Sequence, residues 1–113
     1  MKPFDIFSWQ PAGWPQPHPC VIVSHPDRVT HKPDVNVFMC SSKPATRPAQ
    51  AGEIILDTAD GLNWPTICKC DLIHAVKKTE LKNQRGHVSE IRRRQLVTMA
   101  MSALGWTDVL AGF

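Results

Sequence analysis

Apolar residues along this chain come in short runs separated by polar, proline-rich stretches. Phe4–Trp9 reads as a first strand. Cys20–Ser24 is a continuous apolar run, typical of a central strand. Val35–Cys40 makes a third strand, Glu53–Asp57 a fourth and Thr66–Asp71 a fifth. Ile73–Val76 continues the fifth strand or forms a neighbour after a bend. Between these lie Trp9–Pro19, with four prolines and a glycine, His25–Asp34, with two prolines, and Ser41–Gln50. All three read as loops, because proline removes a backbone donor and fixes φ. Lys77–Arg85 reads as a basic turn or a short helical piece.

The period changes near the C-terminus. Ser89 is suited to cap a helix, with Glu90 in its first turn. From Ile91 to Leu104 the spacing is helical. Leu96, Val97, Ala100, Ala103 and Leu104 fall on one side. Gly105 suits the stop, and the tail Trp106–Phe113 is expected to pack loosely through Trp106. Five or six short strands followed by one helix predict a small barrel, α+β but mainly β.

With 113 residues the chain has the length of one domain spanning 1–113. No apolar run approaches the roughly 18 residues of a membrane span. The first residues lack the apolar core of a secretory signal. A cytoplasmic location without membrane contact is the resulting expectation. Cys20, Cys40, Cys68 and Cys70 include no CxxC pair, and three of them sit inside strand-like runs. They read as buried reduced thiols, with no metal site expected.

The formal net charge is +3, but it is unevenly placed. From Lys69 to Arg94, eight basic residues face three acids, a local net of +5. That asymmetry suits an anionic partner, though a solvated face is the plain alternative. Arg92, Arg93 and Arg94 open the helix, where the macrodipole disfavours each cation by about 0.3–1 kcal/mol. They either answer an acidic partner or sit on a tolerant surface. Lys77, Lys78, Lys82 and Arg85 extend the same patch. Trp14 is a loop aromatic suited to stacking on a base; Trp64 reads as packing.

Six pieces in order resemble the MazF/PemK growth-inhibitor family of toxin–antitoxin systems. FDIFSW resembles its opening strand. HPCVIVS, from His18 to Ser24, resembles its second. VNVFMCSS, from Val35 to Ser42, resembles the strand that ends in hydroxyl residues. Asp60-Gly61-Leu62 matches a family turn, and CDLIHAVKKTEL, from Cys70 to Leu81, a later segment. Gly86-His87-Val88-Ser89 is similar to the lead into the C-terminal helix.

The resemblance implies a Src-homology-3-like (CcdB/MazF-type) barrel of five to seven short strands with a C-terminal helix. It further implies a homodimer held in check by an acidic antitoxin peptide. The implied activity is metal-independent endonucleolytic cleavage of single-stranded RNA, with no cofactor. Such cleavage uses the RNA's own 2′-hydroxyl. It needs a base for that hydroxyl, an acid for the leaving 5′-oxygen and donors for the phosphorane oxygens. The family's phosphate-flanking positions fall here at His18 and at Ser41, with Ser42 adjacent. Histidine stands at His18 where the family has arginine. Histidine lacks arginine's permanent fork but as a residue type can serve as base or acid. His25 and Arg28 are secondary candidates. Binding residues implied alongside are Trp14, Arg28, Ser42, Lys77, Lys78, Arg85, Arg92 and Arg93. The competing reading is a non-catalytic CcdB-like or degenerate barrel that binds a protein or nucleic-acid partner.

Overall fold

The computed structural model describes residues 1–112. Seven strands and three helices follow one another: β1 (Asp5–Trp9), β2 (His18–Ile22), α1 (Pro26–His31), β3 (Asp34–Met39), β4 (Glu53–Leu56), β5 (Thr66–Lys69), β6 (His74–Lys77), β7 (Leu81–His87), α2 (Glu90–Ala103) and α3 (Trp106–Leu110). Five strands form an antiparallel sheet in the order β6-β3-β2-β1-β7, and β4 pairs with β5 in a separate hairpin. The two sheets meet at one isolated bridge, Cys40 to Cys68. They do not close into a barrel; the architecture is an open, mainly β fold with a C-terminal helix.

The continuous apolar run at the second strand follows from burial on both faces. Val21 and Phe38 point to one side, into a core with Ile54, Leu56, Cys68, Val88, Leu96 and Ala100. Cys20, Ile22, Val35 and Val37 point to the other, against Val29 and Val76. Alternation along β2 and β3 thus supplies two cores from one sheet. The hairpin and α2 cover the first face, and α1 contributes Val29 to the second.

Three segments differ from their sequence patterns. His25–Asp34 holds the helix α1. Pro26 stands in its first turn, where a missing N–H costs nothing, and the His25 ring accepts from the Asp27 N–H at 3.1 Å. Lys77–Arg85 contains most of a strand rather than a basic turn. Only Lys78–Glu80 forms a short 3-10 turn before β7. β7 is polar because its pairing comes from the backbone. It runs beside β1 with register shifts on both sides of Phe7, which bend it. The second strand begins at His18 and ends at Ile22, two residues earlier at each end than its apolar run.

The α2 stripe is narrower than the sequence predicts: Leu96 and Ala100 are buried, but Val97 is 42% exposed. Ser89 caps α2 by accepting from the Arg92 N–H, and Gly105 follows its end at φ 78°. Trp106 is half-exposed and opens α3; Phe113 lies outside the described residues. All four cysteines are free and buried. Burial pushes the Cys20 thiol up to about 12. The adjoining thiols and burial hold Cys68 and Cys70 well above the ordinary range. These thiols stay protonated, in keeping with their reading as small hydrophobes.

Candidate functional site

A groove of about 710 Å³ lies where the two sheets meet. Its lining includes Trp14 from the β1–β2 loop, His18 from β2, Met39, Cys40 and Ser41 from the end of β3 and just beyond, Lys43, Thr46 and Arg47 from the following loop, and Ile67 and Lys69 from β5. Three of the residues singled out from sequence, Trp14, His18 and Ser41, therefore share one concave surface.

His18 is placed by the edges of two strands. It is the first residue of β2 and pairs with Trp9, the last of β1. The proline-rich loop between them carries Trp14, whose ring meets the His18 ring edge-on at 4.8 Å and 77°. His18 Nδ1 lies 2.9 Å from the Cys40 carbonyl oxygen. A carbonyl only accepts, so Nδ1 carries the hydrogen and donates. In the neutral ring that bond assigns the tautomer and leaves Nε2 as the acceptor.

Ser41 follows β3 and is tied to the hairpin from both sides of its peptide. Its N–H donates to Ile67 O at 2.9 Å, and its carbonyl accepts from Thr66 Oγ1 at 2.8 Å. Its Oγ accepts from the Lys43 N–H at 3.2 Å. The hydroxyl hydrogen remains available to a ligand.

The cationic wall depends on a buried acid that the sequence pattern does not reveal. Glu53 opens β4 and faces Lys69 directly across the hairpin. Its carboxylate accepts from Arg47 Nη1 and Nη2 at 2.7 and 3.0 Å, from Lys69 Nζ at 2.8 Å and from the Gln50 N–H at 2.9 Å. The Arg47 guanidinium, then the Lys69 ammonium and the Gln50 N–H, hold its carboxyl far below the usual carboxylate range. The Arg47 pKa is raised in turn, chiefly by its hydrogen bonds to Glu53.

The other singled-out residues lie outside this groove's lining. Ser42 is adjacent in sequence but does not line it. Arg28, on α1, pairs with Asp34 at 2.7 Å, and His25 caps the start of that helix. Lys77 lies on β6, and the neighbouring Lys78 Nζ donates to Val29 O at 2.8 Å. Arg85 sits over the Trp64 ring at 5.7 Å, so Trp64 is engaged in packing.

Arg92 and Arg93 have internal partners that account for their place in the first turn of α2. Arg92 donates to Ile55 O and to Asp57 Oδ2, with buried Asp60 3.8 Å from its Nε. Arg93 donates to His87 Nε2 and to Val88 O. The other His87 nitrogen, Nδ1, then donates to buried Asp5 at 2.6 Å. The macrodipole cost is thus met inside the fold.

Sequence reasoning missed Lys43 and Arg47 as site residues. The available signal was two cations four apart in a proline-rich loop directly after Ser41. Among the described residues, no three His, Cys, Asp or Glu side chains are grouped to hold a metal ion. No described helix is long and apolar enough to cross a membrane.

A family model described as PemK-like, MazF-like toxin of type II toxin–antitoxin system matches residues 7–103. No curated protein matches the chain. Among solved structures, a mycobacterial endoribonuclease in complex with its cognate antitoxin is similar over 93% of this chain and 95% of its own. Its identity is 22% and its TM-score 0.79. The Mycobacterium tuberculosis toxin MazF-mt6 is 20% identical over 88% of this chain and 93% of its own, at a TM-score of 0.71. The MazE-MazF structure from Deinococcus radiodurans is 11% identical over 100% of this chain and 96% of that one, at a TM-score of 0.66.

Proposed function

We propose a function from one premise: the chain belongs to the PemK-like, MazF-like toxin family of type II toxin–antitoxin systems. On our reading it is a metal-independent endoribonuclease that cleaves single-stranded RNA. The observation that carries this is the convergence of His18, Ser41 and Trp14 on one groove with a cationic wall.

The groove's chemistry suits transesterification. His18 Nε2 takes the proton of the RNA 2′-hydroxyl, and the resulting oxygen attacks the adjoining phosphorus. The phosphorus–5′-oxygen bond breaks, and the 5′-oxygen takes a proton from solvent. The products are a 2′,3′-cyclic phosphate and a 5′-hydroxyl. The Ser41 hydroxyl donates to a phosphate oxygen as charge builds there. Trp14 supplies a face or edge for a base.

The same reading places the protein in the cytoplasm as a homodimer inhibited by an acidic antitoxin peptide. Support comes from exposed apolar side chains around α2 and α3, among them Val97, Trp106 and Leu110. It also comes from the mycobacterial relative, described in complex with its cognate antitoxin.

Purified protein incubated with a long single-stranded RNA in EDTA tests the enzyme. Cleavage that His18→Ala abolishes supports it. Intact RNA at high protein concentration overturns it and leaves the non-catalytic binder.

A further inference from the structure

We propose that Arg47 and Lys69, held side by side by the buried Glu53 carboxylate, form a second phosphate-binding station in the groove, distinct from the His18–Ser41 station. The inference rests on the RNA-cleaving reading of this groove and deepens it. The substrate is then a strand that presents two phosphates across the junction of the sheets, not an isolated nucleotide.

The arrangement is built rather than incidental. Glu53 is an acid with a side chain only 5% exposed, yet its partners reach the surface: the Arg47 side chain is 39% exposed and Lys69 56%. A buried carboxylate with two cations leaves the trio with a net positive charge that faces the groove. Donors are spare on both cations. Arg47 gives two N–H groups to Glu53 and one to Pro48 O, of the five a guanidinium carries. Lys69 gives one of its three to Glu53. Both side chains line the same groove as His18 and Ser41.

Glu53 serves here as a positioning residue. Its fork-to-fork contact with Arg47 fixes the guanidinium plane, and its place opposite Lys69 in the β4–β5 register fixes the ammonium. The loop that carries Arg47 is anchored to the same acid through the Gln50 N–H, while the Glu53 N–H returns a bond to Gln50 O at 3.0 Å. One carboxylate thereby orders loop, strand and both cations. The wall is preorganised before a ligand arrives, which lowers the side-chain entropy lost on binding.

The test is salt-dependent binding of a short, labelled, single-stranded 2′-O-methyl RNA, which lacks the free 2′-hydroxyl needed for cleavage. Affinity is read by fluorescence anisotropy over a potassium chloride series. Loss of one phosphate contact reduces the slope of log K against log salt by about 0.7 for a single strand. Arg47→Gln/Lys69→Gln is expected to show that reduction and roughly tenfold weaker binding at low salt. Lys2→Gln/Lys32→Gln removes the same charge away from the groove and is expected to keep the wild-type slope.

Glu53→Gln separates positioning from bulk charge. Removing a negative charge strengthens RNA binding if only net charge matters; loss of positioning weakens it. Weaker binding with an unchanged fold by circular dichroism supports the proposal, and tighter binding overturns the positioning role. Arg47 and Lys69 are surface residues, so their paired variant decides the station even if Glu53→Gln unfolds. A wild-type slope in that pair overturns the second station alone. No binding by the wild-type chain overturns the RNA reading beneath it.

Discussion

Gly86 passes so close to Asp60 that a Cβ built on the glycine would lie 2.1 Å from the Asp60 carbonyl oxygen. Gly61, at φ +86°, completes the crossing; a Cβ there would sit 3.0 Å from the Gly86 Cα. Both obstacles are backbone, which cannot rotate away. Gly86→Ala is therefore expected to destabilise the fold by about 3 kcal/mol, at the upper end of overpacking costs. A lower urea midpoint at unchanged m-value checks it.

His18 is assigned the proton transfer, and its loss is expected to lower the cleavage rate roughly 10²–10⁴-fold. Initial rates on a single-stranded RNA in EDTA measure this. Binding of the 2′-O-methyl strand should change far less than the rate. A variant that cuts at the wild-type rate would remove His18 from the mechanism.

Ser41→Ala deletes one hydroxyl donor and leaves both backbone bonds to the hairpin in place. A fall of roughly 10²-fold in kcat, with KM little changed, is expected for a donor that acts on developing charge. An equal fall in affinity and no change in kcat would instead mark Ser41 as a ground-state contact.

Glu53 links the groove to acid stability. Its folded pKa is depressed, so it binds fewer protons folded than unfolded, and stability rises with pH across its titration. The contribution is complete above the unfolded carboxylate value of about 4.3 and is lost as pH falls below it. Chemical denaturation between about pH 5 and pH 3 should show a steeper loss for wild type than for Glu53→Gln. Parallel curves would mean that the ion cluster does not form in solution.

Arg92 is expected to matter for folding and not for RNA. Arg92→Ala removes charge-assisted bonds to Asp57 and Ile55 O beside buried Asp60, at a cost of about 2 kcal/mol. Its salt slope for the 2′-O-methyl strand should match wild type. A reduced slope would return Arg92 to the binding surface.

Most strands were legible because short apolar runs bounded by proline and glycine leave little else. β7 was not, since Lys82, Asn83, Gln84 and Arg85 carry no apolar alternation and pair through the backbone with β1. α1 was hidden behind Pro26, which reads as a breaker until it falls in a first turn. At the site, His18 and Ser41 were visible through resemblance, and Trp14 through its loop. Glu53 was not, because a strand's opening acid looks solvent-facing until Arg47 and Lys69 fold over it. The charge run at Arg92–Arg93 pointed outward on paper, but Asp57, Asp60 and Ile55 O draw Arg92 inward, and His87 with Val88 O, just before the helix, hold Arg93.

The Cys40–Cys68 bridge divides the groove between two separable parts of the fold. On the proposed mechanism the proton-transfer group, His18, comes from the five-stranded sheet, whereas Lys69 and its Glu53 anchor come from the hairpin, and a single ladder rung joins the two. Changes at Lys69 or within the Lys43–Gln50 stretch can therefore alter how a strand is held while the base that takes the 2′-hydroxyl proton keeps its place.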